Sequence, residues 1–376
     1  MKFLHTSDLH LGIKLLDVDL LDDQKFILDQ ILKIAKERTV DALLIPGDIY
    51  DVSIPRVEAV ALLDEFLTKA CAQNLKVFII SGNHDQAERL SFANALLKKS
   101  GVYISERYKK DSAPVVLQDE FGELNVYLLP FIKPINVKSE FQIEENISYD
   151  QAVKIAVENF SIDKSARNVL LAHQFITGGI SCDSESIQIG NVDNASAEHF
   201  AAFDYAALGH LHTPQILQDS PNIRYSGSPL KLSFSEAKKD KLCYLIDLKQ
   251  KGNVDIKEIP LKPLHDMAVL KASYKELAEN KEWKEKYGAA YLSAILTDQD
   301  EIPYAKEKLR AVYKNILEVI YEKNSKRMSE LNSNASKIQK MSDLDLVQMF
   351  FKEQMQKELS QEQKKILAQA LENQER

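Results

Sequence analysis

Cysteine is scarce in this chain of 376 residues, which has only three. They stand far apart, at Cys71, Cys182 and Cys243, and no two of them form a CxxC pair. This spacing predicts neither a structural zinc site nor a framework of disulfides. Long apolar runs are missing too. No stretch reaches the roughly 18 apolar residues of a membrane-spanning helix, so no membrane span is expected.

A leader segment and a basic charge balance are also lacking. The N-terminal residues MKFLHTSDLH turn polar by residue 5, which is too early for a signal peptide, so the cytosol is the expected compartment. The net charge of −8 argues against a protein that holds nucleic acid by its own basic surface alone. A nucleic-acid enzyme stays open if metal ions or a partner chain supply positive charge.

Short apolar segments rich in β-branched residues and leucine recur along the first 212 residues, and polar clusters follow most of them. Such runs are typical of strands buried on both faces. Helical periodicity over 22–38 and 56–74 separates the first three, which predicts βαβ crossovers and an α/β core. The segments are KFLHTSD (2–8), ALLIPGD (42–48), KVFIISGNHD (76–85), VYLLPF (126–131), NVLLAHQF (168–175) and YAALGHLH (205–212).

A domain boundary is predicted near residue 261, where two prolines flank the segment LKPLH, so that 1–261 forms the first domain. Strand and helix patterns then alternate as β-α-β-α-β over 262–323, which predicts a small second domain. We expect a polar linker over 324–341 and two short helices over 342–376. The apolar face of the first of these helices contains Leu344, Leu346, Val347, Phe350 and Phe351.

Five polar clusters follow predicted strands, and ligand sites in α/β sheets form at the carboxyl ends of strands. We therefore expect the clusters to converge. Their carboxylate, amide and imidazole groups, without cysteine, suit divalent ions such as Mn²⁺, Fe²⁺ or Zn²⁺. Asp48 is the natural bridging ligand, because a carboxylate has two oxygens. The clusters are Asp8-Leu9-His10, Gly47-Asp48, Gly82-Asn83-His84-Asp85, Ala172-His173 and Gly209-His210-Leu211-His212.

Each cluster taken alone also has a plain structural interpretation. A DxH pair can be a surface pair, a GD step a turn, and a single histidine after a strand a core residue. The combination is more specific, because five of the eight histidines fall within these clusters. The order DxH…GD…GNHD…H…GHxH, with each part after a strand, is hard to obtain by chance.

That order, together with HTSDLHLG, GDIYD and YSGSPL (225–230), resembles the calcineurin-like metallophosphoesterase superfamily. The resemblance implies a metallophosphoesterase-type α/β/β/α sandwich, followed by a small α/β capping domain and C-terminal helices. It also implies two divalent metal ions, with Mn²⁺ the expected metal. One ion would be held by Asp8, His10 and His212, the other by Asn83, His173 and His210, with Asp48 bridging the two.

The resemblance implies a role for His84 beside the metals, and the residue types around it suggest roles for a few others. His84 would face the substrate phosphate and donate a proton or hydrogen bond to it or to the leaving 3′-oxygen. Asp85 would orient that imidazole, unless it only caps the turn. Asp51 is either a residue behind the ligands or the N-cap of the second helix, although Pro55 favours a cap nearer Ser53 or Ile54. Ser226 and Ser228 lie near the metals or simply in a β-turn.

Within the superfamily the chain is similar to nuclease subunits that work with an ABC-type ATPase bearing a long coiled coil. This implies a double-strand 3′–5′ exonuclease and single-strand or hairpin endonuclease in DNA end processing, repair, recombination and replication. The chain has no GxxxxGK[ST] pattern, so any ATP would be bound by the partner. A homodimer within a heterotetramer, in the bacterial cytoplasm near the nucleoid, is also implied.

Two points stay open from the sequence. The helices over 342–376 would dock on the coiled coil of the partner or pack on their own nuclease domain. The chain could also be a small-molecule phosphodiesterase or phosphatase of the same fold, or a scaffold without catalytic activity. The complete set of ligand types argues against the scaffold, and the residues beyond the core argue against the small-molecule enzyme.

Overall fold

The computed structural model describes residues 1–110, 112–180, 194–217, 220–323 and 363–364. Within these ranges no helix has the length and apolarity that crossing a membrane requires.

The strands of the described residues are β1 (Lys2–His5), β2 (Lys14–Leu15), β3 (Val18–Asp19), β4 (Ala42–Pro46), β5 (Lys76–Ile80), β6 (Val102–Ile104), β7 (Val115–Asp119), β8 (Gly122–Leu129), β9 (Arg167–His173), β10 (Tyr205–Gly209), β11 (Gln215–Leu217), β12 (Ser220–Tyr225), β13 (Leu242–Leu248), β14 (Val254–Pro260), β15 (Met267–Ala272), β16 (Tyr291–Leu296) and β17 (Ile316–Tyr321). The α-helices are α1 (Leu21–Glu37), α2 (Val57–Ala72), α3 (Ala87–Leu90), α4 (Asn94–Leu97), α5 (Pro134–Phe141), α6 (Tyr149–Glu158), α7 (Tyr274–Glu279), α8 (Lys281–Tyr287) and α9 (Ala305–Arg310).

Two six-stranded sheets form the larger part of the described chain. The first has the order β14-β13-β1-β4-β5-β6, in which β1, β4, β5 and β6 run parallel. The second has the order β11-β12-β10-β9-β8-β7, in which β8, β9, β10 and β12 run parallel. In both sheets the central strands therefore end at the same edge.

The two sheets pack face to face through alternate side chains of their strands. Phe3, Leu44 and Phe78 of the first sheet lie in one apolar cluster with Val126 and Leu171 of the second. The alternate residues of the first sheet point outward and pack against α1 and α2. Those of the second sheet pack against α5 and α6. This confirms the expected α/β/β/α sandwich, and it explains why the strands carry continuous apolar runs.

The start of α2 differs from the expectation. Its N-cap is Arg56, with an extended backbone and no side-chain cap bond, and Pro55 lies just before that cap. Capping by Asp51, or a cap at Ser53 or Ile54, is therefore wrong. The carboxylate of Asp51 lies 3.3 Å from His10 Nδ1 instead, so it is engaged elsewhere.

A smaller parallel sheet, β15-β16-β17, follows the sandwich and has its own apolar core with α7 and α9. The helical part between β15 and β16 is divided at Asn280, whose side chain accepts from the backbone N–H of Trp283 and caps α8. This unit contacts α1, because Asp23 accepts hydrogen bonds from Tyr291 Oη at 2.8 Å and from the backbone of His265 at 3.1 Å. The limits of the predicted domains stay a prediction.

A polar clasp joins the two sheets at the edge opposite the ends of the parallel strands. The buried guanidinium of Arg167, at the start of β9, donates to both carboxylate oxygens of Asp119 and to the backbone of Lys249. The ammonium of Met1 lies 2.9 Å from the same carboxylate. Burial raises the pKa of Asp119, but hydrogen bonds from Arg167 and Met1 outweigh burial, and the pKa lies below its usual range.

This clasp predicts a pH-dependent loss of stability in Asp119→Asn. The lowered pKa means that folding favours the ionised carboxylate. The stabilisation is therefore present above the unfolded pKa of about 3.9 and is lost as the pH falls through the lower, folded value. We expect the variant to unfold at a lower temperature than the wild type at pH 7, with the difference shrinking below about pH 4. Thermal unfolding followed by circular dichroism between pH 7 and pH 3 measures this.

Asp255→Asn is the matched control, because Asp255 pairs with Lys257 at 3.3 Å where both side chains are more than half exposed. Exposed pairs contribute little, so this variant should follow the wild type at every pH. A deficit of Asp119→Asn that stayed constant down to pH 3 would contradict the role given to its ionised form.

Candidate metal centre

The five polar clusters predicted to converge do meet in the structure. Those after β1, β4 and β5 leave neighbouring strands of the first sheet, and those at the ends of β9 and β10 leave neighbouring strands of the second. Because the sheets lie face to face and these strands end at one edge, the clusters come together there. The structure brings together the side chains of Asp8, His10, Asp48, Asn83, His173, His210 and His212.

One group of donors contains Asp8, His10 and His212. Nε2 of His10 lies 3.1 Å from Nε2 of His212, so the two imidazoles meet through the same ring atom. Donor atoms of these three residues all lie within 4.8 Å of one another, and the residues are buried. Such a buried set of one carboxylate and two imidazoles is chemically suited to a divalent cation.

A second group contains Asn83, His173 and His210. The Oδ1 atom of Asn83 lies 3.0 Å from His173 Nε2 and 3.1 Å from His210 Nδ1. His173 Nδ1 donates to the carbonyl of Pro46 at 2.9 Å, which leaves Nε2 without a proton in the neutral ring. An amide oxygen and ring nitrogens therefore converge on one point.

Asp48 stands between the two groups. Its Oδ2 atom lies 3.6 Å from His10 Nε2 in the first group and 3.4 Å from His173 Nε2 in the second. Its other oxygen accepts from the backbone N–H of His84 at 3.0 Å. Asp48 thus occupies the position that a bridging carboxylate needs.

The backbone at this edge is strained. Asp8, His10, Asp48 and His210 have φ values of 53°, 43°, 48° and 105°, in the region that residues other than glycine rarely enter. Such residues persist only where the surrounding structure over-determines them, and they cluster at functional sites. Four of the seven converging residues share this feature, which no sequence pattern displays.

Two glycines let the clusters approach each other. Gly47 has a φ of 90°, and a Cβ atom placed there would lie 2.1 Å from His173 Nδ1. A Cβ atom on Gly82 would lie 2.1 Å from Asp48 Oδ1. No side chain fits at either position without displacing one of the converging groups.

Burial and neighbouring charges shift the pKa values of the side chains in this cluster. Burial lowers the pKa of His173, but Asp48 and Asp8 outweigh burial and raise this pKa to about 9. Burial raises the pKa of Asp8 to about 6 and lowers that of His210 to about 3. Buried ionisable groups with such opposed shifts are typical of functional sites.

The donor set fits divalent metal ions. It consists of carboxylate oxygens, an amide oxygen and imidazole nitrogens, all on rigid strand ends and none on cysteine. Two buried acids and four histidines at close range would otherwise have to share protons, and a divalent cation replaces those protons on the same atoms. Asn83 adds a ligand without adding charge.

His84 lies at the rim of this centre and is half-buried. Its Nδ1 atom donates to the backbone carbonyl of Asp51 at 2.8 Å, and its ring centroid lies 4.8 Å from that of His10. Because Nδ1 carries the proton in that bond, Nε2 is the ring atom left for another group.

Asp85 does not orient His84, so that expectation is wrong. Its carboxylate accepts from the backbone N–H groups of Ile49, Tyr50 and Gly82 at 3.0, 3.0 and 2.9 Å. These bonds fix the turns after β4 and β5, which carry Asp48 and Asn83. The alternative of a turn-capping side chain is the one that the structure supports.

Asp51, and not Asp85, is the residue that orients the imidazole of His84. Its carboxylate approaches His10 Nδ1, and its carbonyl accepts from His84 Nδ1. The GDIYD pattern contains it, but sequence alone could not separate this role from helix capping. Ser226, expected either near the metals or in a turn, lies 2.9 Å from the hydroxyl of Ser7, which itself donates to Asp8 at 2.5 Å.

A buried ion pair behind His212 escaped the sequence reasoning. Lys241 Nζ donates to the carbonyl of His212 at 2.7 Å, to Ser228 Oγ at 2.8 Å and to Glu236 Oε2 at 2.5 Å. Both charged side chains are buried. In the sequence Lys241 closes the exposed-looking run KKDK, and nothing there indicates burial except the apolar strand that follows.

Two family models match the chain. One, described as calcineurin-like phosphoesterase, matches residues 1–214, and one described as type 5 capsule protein repressor C-terminal domain matches residues 263–355. The chain is 32% identical over 370 residues to the SbcD subunit of the nuclease SbcCD from Staphylococcus epidermidis, with 96% of each chain covered.

Two solved structures are also similar. A Thermus thermophilus protein has 12% identity and a TM-score of 0.40, covering 68% of this chain and 98% of its own. A dimetal phosphatase from Danio rerio has 11% identity and a TM-score of 0.40, covering 70% of this chain and 98% of its own.

The ion pair behind His212 predicts a large single-variant defect. Lys241→Met leaves the carboxylate of Glu236 buried without its cation, so we expect a loss of about 3–5 kcal/mol in the free energy of unfolding. The double variant Lys241→Met with Glu236→Leu removes both charges and should regain much of this loss. Urea unfolding of both variants checks this, and a double variant as unstable as the single one would contradict the role of the pair.

Proposed function

Since this chain belongs to the calcineurin-like phosphoesterases, and within them to the family of the SbcD subunit of the nuclease SbcCD, we propose that it hydrolyses phosphodiester bonds in DNA. The observation that carries the proposal is the convergence of seven donor side chains beside His84 at one buried edge. A small-molecule phosphatase is the less supported alternative.

The centre would hold two divalent ions, with Mn²⁺ the expected metal. Their ligands would be Asp8, His10 and His212 for one ion, and Asn83, His173 and His210 for the other, with Asp48 shared. When bound, such ions supply charge neutralisation at the phosphate and activation of water.

The residues of the chain contribute positioning and proton transfer. His84 is held through Nδ1 by the carbonyl of Asp51, so Nε2 is the atom that would donate toward the phosphate. As the oxygen of water forms a bond to phosphorus and the bond from phosphorus to the 3′-oxygen breaks, Nε2 would give a proton to that 3′-oxygen, and the proton released by the water would pass to the solvent, which returns one to Nε2. Asp51 would hold the rings of His84 and His10 in fixed orientations, since it contacts both rings.

We assign the biological setting from the family. The chain would act in DNA end processing, repair and recombination, as a double-strand 3′–5′ exonuclease and a single-strand or hairpin endonuclease. Its partner would be an ABC ATPase of the SbcC type with a coiled coil, in a heterotetramer that contains two copies of this chain. A bacterial cytoplasm near the nucleoid is the corresponding location.

The 342–376 segment, including the proposed partner-binding residues Leu344, Leu346, Val347, Phe350 and Phe351, lies outside the described residues apart from 363–364. We propose that its apolar side chains dock on the coiled coil of the ATPase. The support is the apolar spacing in the sequence and the second family model, which extends to residue 355.

DNA cleavage with a His84 variant tests the function. In Mn²⁺, we expect the wild type to cut linear and hairpin DNA. His84→Ala should lose this activity by about 10²–10⁴-fold, the usual contribution of a general acid, with its metal content unchanged. Nuclease assays, bis-p-nitrophenyl phosphate hydrolysis and metal analysis of the purified protein supply the readouts.

His199→Ala is the matched control, because His199 pairs with Asp150 at 2.7 Å away from the centre, so it should cut DNA like the wild type. Loss of metal in His84→Ala would make His84 a ligand and break the assignment. A wild type that turns over the small ester but cuts no DNA, even with the ATPase present, would leave the small-molecule enzyme as the function.

The partner proposal predicts a binding defect without a catalytic one. We expect Leu346→Asp with Phe350→Asp to abolish co-purification with the ATPase, because a buried charge opposes docking of an apolar face. Hydrolysis of bis-p-nitrophenyl phosphate should stay at the wild-type rate. Gln348→Ala, at a polar position of the same segment, should keep the partner. Retention of the ATPase by the double variant would refute docking through this segment.

A further inference from the structure

A cavity lies at the β6 edge of the first sheet. It has a volume of about 230 Å³ and lies between β6 of the first sheet and β7 and β8 of the second. We call it the Ser105 cavity. Its polar lining contains Lys98, Tyr103, Ser105, Arg107, Lys109 and Ser112.

The position of the Ser105 cavity is fixed by the strand that leads to the metal centre. The backbone N–H of Ser105 donates to the carbonyl of Ile79 at 2.8 Å, which extends the pairing of β6 with β5. Four residues beyond Ile79 stands Asn83. Neighbouring strands lie about 4.8 Å apart, so the cavity lies one strand away from the strand that leads to Asn83.

A second connection runs through the other sheet. Pro130 lines the cavity, and the backbone N–H of the next residue, Phe131, donates to Ser81 at 2.9 Å. The ring centroid of Phe131 lies 6.2 Å from that of His173. Pro130 of the cavity is therefore followed directly by a residue that contacts the donor set.

The charge around the cavity is basic in an acidic chain. The segment 98–110 contains five basic residues and one acidic residue, whereas the whole chain has a net charge of −8. Glu106, the single acid among the described residues of the lining, pairs with Lys109 at 2.6 Å. Lys98 and Arg107 form no side-chain hydrogen bond or ion pair with any residue that the structure describes. Other exposed cations of the chain also lack an ion pair, and what sets Lys98 and Arg107 apart is the cavity that they line together with Ser105.

Ser105 adds a polar group with no partner of its own. The residue is 6% exposed, and its hydroxyl lacks a hydrogen-bond partner among the described residues. A buried hydroxyl left unpaired is destabilising, so such groups call for a specific explanation. A ligand that accepts a hydrogen bond is one.

The size of the cavity selects the ligand. Pockets that enclose whole small molecules measure roughly 300–1,000 Å³, so a cavity of about 230 Å³ suits a single group rather than a nucleoside. Two free cations and a hydroxyl donor match the charge and acceptor oxygens of a phosphate. A metal centre for phosphodiesters beside it implies that the phosphate belongs to a strand already bound there.

We propose that the Ser105 cavity binds a backbone phosphate of the DNA strand held at the metal centre, an inference that rests on the proposed function. This phosphate contact fixes the strand one or more nucleotides away from the bond to be cut. It carries no sequence information, since phosphate contacts position a nucleic acid without reading its bases.

The test removes the two cations in the full-length chain as Lys98→Gln with Arg107→Gln. DNA binding is followed by fluorescence anisotropy without Mn²⁺ over a series of salt concentrations. We expect affinity at low salt to fall about tenfold or more. The slope of log affinity against log salt should drop by about one for each phosphate that the variant no longer neutralises. Hydrolysis of bis-p-nitrophenyl phosphate in Mn²⁺ should be unchanged.

Lys36→Gln with Arg38→Gln is the matched control. It makes the same charge change at the end of α1, just before the start of β4 and so at the end of the first sheet away from the carboxyl ends of its strands, where both side chains are exposed. It should bind DNA like the wild type. Equal reductions in affinity in the two double variants would mean that only net charge matters, and would overturn the site.

Ser105→Ala separates binding from folding. If the hydroxyl serves the ligand, this variant binds DNA more weakly while its thermal stability is equal to or above that of the wild type, because an unpaired buried hydroxyl has been removed. Unchanged DNA affinity would overturn the role of Ser105.

Two further outcomes are distinguishable. A site for free phosphate would show calorimetric phosphate binding that the Lys98 and Arg107 variant loses, with the DNA affinity of that variant equal to that of the control. That result overturns the proposal.

A wild type that cuts no DNA would refute the proposed function. DNA cutting with no difference between the variant and its control would refute the cavity alone.

Discussion

One hydrogen bond between the two sheets fixes both their packing at the site and the orientation of the donor side chains. His173, the last residue of β9, donates from Nδ1 to the carbonyl of Pro46, the last residue of β4, at 2.9 Å. The bond ties the two sheets together at the edge where their strands end, and it directs Nε2 of the same ring toward Asn83 and Asp48. It is possible only because Gly47 leaves the space that a side chain would fill. The packing of the sandwich and the assembly of the donor set thus depend on the same contact.

The strain at this edge is held by the rigidity around it. Each residue with a positive φ costs of order 1–3 kcal/mol, and the donor set has four. The strands that precede them are buried on both faces, so the ends cannot relax without moving the core. The carboxylate of Asp85 ties three backbone N–H groups of the two adjacent turns, and the Lys241–Glu236 pair holds the backbone of His212. These side chains act on the donors through the backbone, although none of them belongs to the donor set.

The parts of the molecule that were predictable share one property, which is a pattern visible along the chain. Continuous apolar runs followed by polar clusters predict parallel strands that deliver their last residues to one edge, and β1, β4, β5, β9 and β10 behave in this way. The roles of single side chains in tight turns are different. Asp85 follows His84 directly, yet the turn sends the two side chains in different directions, and Asp51, far away in sequence, meets the imidazole instead. Where the backbone reverses, neighbouring positions in the sequence do not predict which side chains will touch. The burial of Lys241, which stands in a charged run, could not be predicted from the sequence either.

Net charge and local charge answer different questions about a nucleic-acid enzyme. A value of −8 opposes non-specific binding over the whole surface, because long-range repulsion acts on any approaching strand. It does not prevent a few cations without acidic partners from acting at short range, where screening by salt is weak. Some lysines here are paired with acids, as Lys25 is with Glu65 and Lys69 with Asp29, whereas others, Lys36 and Lys98 among them, form no such pair within the described residues. If the proposed phosphate site holds, the acidity of the rest of the chain would favour placement of a strand at the metal centre over adsorption elsewhere.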